Sequence, residues 1–212
     1  SSYKLILIAR RKEKLDKLAE TLDTEVYTAK VDVTKKDQVK KLFESLPEEF
    51  SEIDVIINNA GLASTAELSQ NADVEDWEVM VDTNIKGVLY FVHYALKGMV
   101  EKDSGMIINI SSVAATAPYP GGNVYGATKA FVKQLSKNLR ADLFGTGIKV
   151  TNIEPGAVET EFSVVRYKGD KEKAASVYEG MRLPTADDVA NTLKWVIEQP
   201  EGVNIDSLEI MP

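Results

Sequence analysis

Six apolar runs rich in valine and isoleucine, separated by segments with helical periodicity, leave few folds open to this chain. The runs are Tyr3–Ala9, Glu25–Val31, Ile53–Asn58, Gly105–Ser111, Lys149–Ile153 and Ser207–Met211. A strand that is apolar at consecutive positions must be covered on both faces, and helical crossovers between parallel strands supply that cover. Helices are predicted over Lys12–Leu22, Lys35–Leu46, Val74–Glu101, Val124–Phe144 and Ala186–Gln199, with Pro47 and Pro200 placed where a helix stops. No repeat or linker interrupts the alternation. The expectation is one α/β domain over residues 1–212, a doubly wound parallel sheet.

Charge and residue usage narrow the partners. With 33 acidic against 25 basic residues the formal net charge is −8, which gives no general attraction to nucleic acid or to an anionic membrane. There is no cysteine, so disulfides, thiolate catalysis and thiolate metal sites are excluded. No metal is expected, and a cytoplasmic protein is the simplest reading. The apolar stretches are broken by charge well short of the roughly 20 residues that span a bilayer.

In such a sheet a ligand binds outside the carboxyl ends of the strands, so the residues that follow each run carry the functional signal. They are Arg10 and Arg11, then Asp32 and Val33, then "NNAG" (Asn58 to Gly61), "SSVAA", and "EPGAVET". With the spacing from Ser112 to Tyr125 and the sequence "YGATK", these motifs resemble the short-chain dehydrogenase/reductase family along the whole chain. The resemblance implies a Rossmann-like fold and a nicotinamide cofactor.

The helix that begins near Val124 places Tyr125 and Lys129 four residues apart on one face. A free tyrosine has a pKa of about 10, too high for a base near neutrality, and a neighbouring ammonium is expected to lower it. Tyr125 is thus predicted to exchange a proton with a substrate hydroxyl or carbonyl oxygen. Ser112, at the end of a strand, is expected to hydrogen-bond that oxygen, with Ser111 the weaker candidate. The resemblance adds that Lys129 holds the nicotinamide ribose. It also implies that Asn84, a poor helix former inside a long predicted helix, supports a water chain from the lysine.

Arginine at the end of the first run points to NADP, because a cation there accommodates a 2′-phosphate where an acidic residue would bond the ribose hydroxyl. Arg10 and Arg11 are the candidates, the alternative being surface charges balanced by Glu13 and Asp16. The resemblance puts adenine at Asp32 and Val33, the adenosine ribose at the backbone of Asn58, Asn59, Ala60 and Gly61, and nicotinamide at Pro155, Gly156, Val158 and Thr160. The family's first strand and glycine-rich phosphate loop have no counterpart in this sequence, which opens at what reads as the second strand. Either they lie outside it or cofactor binding is impaired. The first reading is preferred, because losing a central strand would expose apolar surface on both neighbours.

The segment "TEFSVVRYKGDKEKAASVYEGM" is expected to fold over the site as a helical lid. It and the closing "LEIMP" are similar to the NADP-dependent 3-hydroxy acid dehydrogenases, a branch acting on L-serine, L-allo-threonine and related acids. A small acid needs a cation for its carboxylate, and Arg166 is the candidate, unless it pairs with Asp170 or Glu172. Two other readings remain, a reductase of a bulkier ketone, sugar or acyl thioester, and a non-catalytic nucleotide-binding or interaction protein. His93, the only histidine, is read as packed or interfacial rather than catalytic. It lies in a segment apolar on nearly every side, which with the resemblance points to a homodimer or homotetramer.

Overall fold

The computed structural model describes residues 3–212 and contains six strands, all paired in parallel. They are β1 (Leu5–Ala9), β2 (Val26–Lys30), β3 (Val55–Asn58), β4 (Gly105–Ile110), β5 (Ile148–Pro155) and β6 (Ser207–Ile210). The helices are α1 (Lys12–Ala19), α2 (Lys36–Glu44), α3 (Val74–Val81), α4 (Val88–Glu101), α5 (Asn123–Asp142), α6 (Glu161–Arg166), α7 (Lys171–Ser176) and α8 (Ala186–Ile197). Each predicted element forms, mostly shortened at its ends. Residue 3 of the first predicted strand lies outside β1, and β5 runs two residues further than predicted, through Pro155.

β4 shows why the runs are continuous. Ile107 faces a cluster with Val88, Val92, Met99 and Val132, whereas Met106 and Ile108 join Ile153 and Val196 on the opposite side. Burying each such side chain stabilises the fold by about 1.5–3 kcal/mol, so both faces hold the sheet. α8 starts where Thr185 and Asp188 form a reciprocal capping box, and its last turns, with Leu193, Val196 and Ile197, pack beside Leu208 and Ile210 of β6.

The strands fall into two ladders, β1–β2 and β3–β4–β5–β6, with no pairing between β1 and β3. The surfaces beside that opening are apolar and only partly covered. No residue of β1 is fully buried, and Ile57 of β3 is 45% exposed.

The predicted helix Val74–Glu101 is not a single α-helix. Between α3 and α4 the turn widens to a π-helix over Asp82–Gly87, which turns Asn84 and Gly87 into the interior. One extra residue per turn is the usual cause of such a bulge, and it is common at functional sites. The lid is also broken into two helices. Lys168 (φ 51°) and Gly169 (φ 95°) adopt left-handed backbone between α6 and α7.

His93 is not packed inside. It stands exposed on α4, edge-on to Tyr94 at 5.0 Å between ring centroids, because the inward face of the helix belongs to Val92, Ala95 and Met99. Leu89 and Val100 of the same helix are exposed as well.

Candidate active site

The carboxyl ends of β3, β4 and β5 bring Asn84, Ser112, Tyr125 and Lys129 together, all four buried. α5 carries two of them on its inward face. Lys129 Nζ lies 5.8 Å from the Tyr125 ring centroid and donates to the Ile110 carbonyl at 2.8 Å. Asn84 is clamped from both ends of its amide. Its oxygen accepts from Leu62 N (2.9 Å), and its nitrogen donates to Leu62 O (2.8 Å) and to Thr128 Oγ1 (3.0 Å). That clamp, tied to α5 through Thr128, accounts for the π-helix around it.

The two serines separate cleanly. Ser111 Oγ donates to the Lys129 carbonyl (2.7 Å), a bond that secures α5 to β4. Ser112 Oγ sits beside the Tyr125 phenol, accepts from Ala114 N (3.1 Å) and lies 3.4 Å from the Pro155 carbonyl. Only Ser112 faces the reacting region.

The expected lowering of the Tyr125 pKa is not what the geometry gives. Burial pushes the phenol up to about 12, offset only in part by the Ser112 hydroxyl and the Arg166 charge. Desolvation wins because the Lys129 ammonium is directed at the Ile110 carbonyl rather than at the phenol oxygen. Burial in turn lowers Lys129 to about 8, so it keeps most of its charge at neutral pH.

Gly61 leaves room for this lysine. A Cβ there would stand 3.1 Å from Lys129 Nζ and 3.3 Å from Asn84 Oδ1. The protein's own side chains therefore crowd this position. Asn59 and Ala60 are exposed beside it, and Asn58 turns inward to donate to Asn109 Oδ1 (2.7 Å). Val33 packs against Gly87 of the π-helix.

At the end of β1, Arg10 and Arg11 are exposed. Arg11 does not pair with Glu13 or Asp16. It meets Glu161 at the start of α6 (2.9 Å), as does Lys14 (3.1 Å), and this pair of cations lowers the Glu161 pKa. Asp32 receives two bonds on one oxygen, from Thr34 N and Thr34 Oγ1 (3.0 and 2.8 Å). Burial raises its pKa, but these bonds and the charges of Arg10 and Lys35 outweigh that and hold the carboxyl below its ordinary value.

Past β5, Gly156 N donates to Ile210 O (2.8 Å), which ties the Pro155–Gly156 turn to β6. Val158 O accepts from Tyr178 (3.2 Å), and the Thr160 hydroxyl caps α6. The lid lies over the site, with Phe162 tilted against the Tyr125 ring at 5.6 Å. Arg166 reaches inward from the lid. Its Nη1 donates to Tyr119 Oη (3.1 Å) and its Nη2 to Gly121 O (3.3 Å), and the guanidinium stacks over the Tyr119 ring. Among the described residues it has no acidic partner. Asp170 pairs instead with Lys173, and Arg166 Nε is buried without a hydrogen bond.

Sequence reasoning missed Tyr119, Thr128 and Phe162. Only Tyr119 had a signal, in the turn sequence "PYPGG". There Gly121 (φ 76°) approaches Ala66 so closely that a Cβ would fall 2.2 Å from its carbonyl oxygen.

A buried Tyr–Lys–Ser–Asn site at the carboxyl edge of a parallel sheet defines the class. The chain belongs to the short chain dehydrogenase family, whose model matches residues 1–171. An NADP-dependent 3-hydroxy acid dehydrogenase of Salmonella typhi is 50% identical over 213 residues, spanning 100% of this chain and 86% of that protein. A serine 3-dehydrogenase of Rhizobium radiobacter is 47% identical over 210 residues, covering 99% of this chain and 84% of that protein. The solved closed form of a serine dehydrogenase complexed with NADP+ superposes with a TM-score of 0.97 at 50% identity, over 99% of this chain and 85% of the other.

Proposed function

We propose that this chain is an NADP-dependent oxidoreductase of small 3-hydroxy and 3-oxo acids of the L-serine, L-allo-threonine and 3-hydroxypropionate type. The observation that carries the substrate class is Arg166. A guanidinium on the lid, oriented by Tyr119 and Gly121 and lacking a carboxylate partner among the described residues, suits the carboxylate of a small acid. Its charge also lowers the Tyr125 pKa slightly, which puts the two groups within electrostatic reach of one another.

The residues present suit NADP. Arg10 and Arg11 offer cations for the 2′-phosphate, Asp32 keeps one oxygen for the adenine amine with Val33 beneath it, and Asn58 to Gly61 line the ribose edge. Pro155, Gly156, Val158 and Thr160 lie where nicotinamide belongs. The opening between β1 and β3 suits a parallel strand bearing the glycine-rich turn, within one domain that includes residues 1–212.

Bound NADP supplies the hydride acceptor or donor. The chain does the rest. Ser112 positions the substrate oxygen, and Tyr125 Oη takes its proton in oxidation or returns it in reduction. Lys129 orients the ribose, and Asn84, held to Thr128, supports a water chain that carries protons from the lysine. Phe162 keeps water off the Tyr125 ring.

Paired substrates test the acid requirement. 3-Hydroxybutyrate is expected to be turned over at least about tenfold more efficiently than its uncharged methyl ester, since a charged hydrogen bond contributes roughly 1.5–3 kcal/mol. Equal efficiency would favour the reductase of bulkier neutral substrates.

Glu161 competes with the 2′-phosphate for Arg11. Glu161→Gln is therefore expected to tighten NADP+ binding by about two- to fivefold, as befits an exposed ion pair, and to leave NAD+ affinity unchanged in a fluorescence titration.

The exposed Leu89, His93 and Val100 of α4, with Phe144 92% exposed after α5, support a homodimer or homotetramer. The cysteine-free sequence supports a cytoplasmic setting, and among the described residues no helix is long and apolar enough to cross a membrane.

A further inference from the structure

Lys133 lies one helical turn past Lys129 and two past Tyr125, on the same flank of α5. Its ammonium donates to Glu154 Oε2 (2.8 Å) and to Thr116 Oγ1 (2.9 Å). The Glu154 side chain is 1% exposed, and its other oxygen accepts from Asn152 Nδ2 (2.9 Å) and Ser207 Oγ (2.8 Å). Neither charge takes part in the chemistry described above.

A buried carboxylate is costly, and a buried ion pair is often no more stabilising than apolar side chains of the same volume. What it does impose is geometry. Each group here belongs to a different part of the active site. Thr116 ends the short turn that begins at Ser112, Lys133 belongs to the helix of Tyr125 and Lys129, and Glu154 immediately precedes the Pro155–Gly156 turn. Sliding α5 along the sheet would leave Glu154 unpaired in the interior.

We propose that Lys133 and Glu154 are a positioning pair that fixes Tyr125 and Ser112 relative to the nicotinamide turn, so that hydride and proton transfer stay aligned. The inference rests on the oxidoreductase reading, and it concerns residues that touch neither substrate nor cofactor.

The test uses the double variant Lys133→Met/Glu154→Gln, which removes both charges together, and Lys133→Arg as the conservative replacement. Misplacement of reacting groups by about 1 Å costs up to about 100-fold in rate. The double variant is expected to lose about 10- to 100-fold in kcat, with KM for NADP+ within about threefold of the wild type. Its deuterium isotope effect on kcat should rise, and Lys133→Arg should recover most of the rate. Amide exchange should quicken in residues 112–118, 123–133 and 153–157 while β1 and β2 stay unchanged.

A folded double variant with wild-type kcat and isotope effect would overturn the proposal, as would exchange raised evenly across the sheet. Should the double variant not fold, Glu154→Gln is read by the same two measurements, with the same opposing outcomes, and Lys133→Arg remains the conservative control that should keep most of the rate. A wild-type protein inactive on every hydroxy acid would sink the oxidoreductase reading alone, because the exchange pattern still decides the positioning role.

Discussion

Tyr125→Phe is expected to lower kcat by about 10²- to 10⁴-fold, the range lost when a positioned acid/base group is removed. Cofactor affinity should hardly change, since the ring and its packing on Phe162 remain. The pH dependence follows from the direction of the shift. Burial raises the phenol to about 12, so the protonated form predominates across the neutral range. Reduction, which needs the proton, should be nearly flat to about pH 11 and fall only beyond it. Oxidation needs the phenolate, so its kcat/KM should climb steadily over the same interval. A flat oxidation profile, or a Phe variant within a few-fold of the wild type, would remove Tyr125 as the proton carrier.

Arg166→Ala should raise KM for a 3-hydroxy acid by about 10- to 100-fold and leave a neutral secondary alcohol unaffected. The estimate takes a charge-assisted hydrogen bond as worth about 1.5–3 kcal/mol, with 1.4 kcal/mol per tenfold. Arg166→Lys should recover only part, because a point charge cannot reproduce the planar fork that Tyr119 and Gly121 orient. Loss of the charge also removes one of the influences that hold the Tyr125 pKa down, so the oxidation profile should move to higher pH. An unchanged KM would return Arg166 to the role of a lid residue fastened to Tyr119.

The sheet and the Tyr125–Lys129 pair were legible from local signals, whereas Ser112 and Asn84 were picked out through the resemblance to the family. Consecutive apolar residues define strands buried on both faces, and the i, i+4 spacing of Tyr125 and Lys129 places them on one helical face whatever the surroundings. Asn84 was conspicuous as a poor helix former, but the π-helix itself was not readable. It depends on an amide clamp to Leu62 and Thr128, and those partners lie 22 and 44 residues away in sequence.

Tertiary contacts decided the remaining differences. Spacing alone suggested a lysine that lowers its tyrosine, but the Ile110 carbonyl takes the ammonium and desolvation prevails. The alternative to a phosphate contact for Arg11 was pairing with Glu13 or Asp16, whereas its partner in the chain, Glu161, comes from the lid 150 residues on. Nothing in the sequence pairs Lys133 with Glu154; only the packing of α5 on β5 brings them together, with Glu154 buried and Lys133 partly covered. His93 was expected to be packed or interfacial because its helix is apolar nearly all round; it is not packed within the chain, and it is exposed beside Leu89 and Val100.

The most direct test of the central claim compares initial rates of NADP+ and NAD+ reduction with L-allo-threonine, L-serine, 3-hydroxybutyrate and a simple secondary alcohol. The account predicts turnover of the hydroxy acids with NADP+, little with NAD+, and little with the neutral alcohol. Turnover confined to the neutral alcohol, or equal rates with both cofactors, would contradict it.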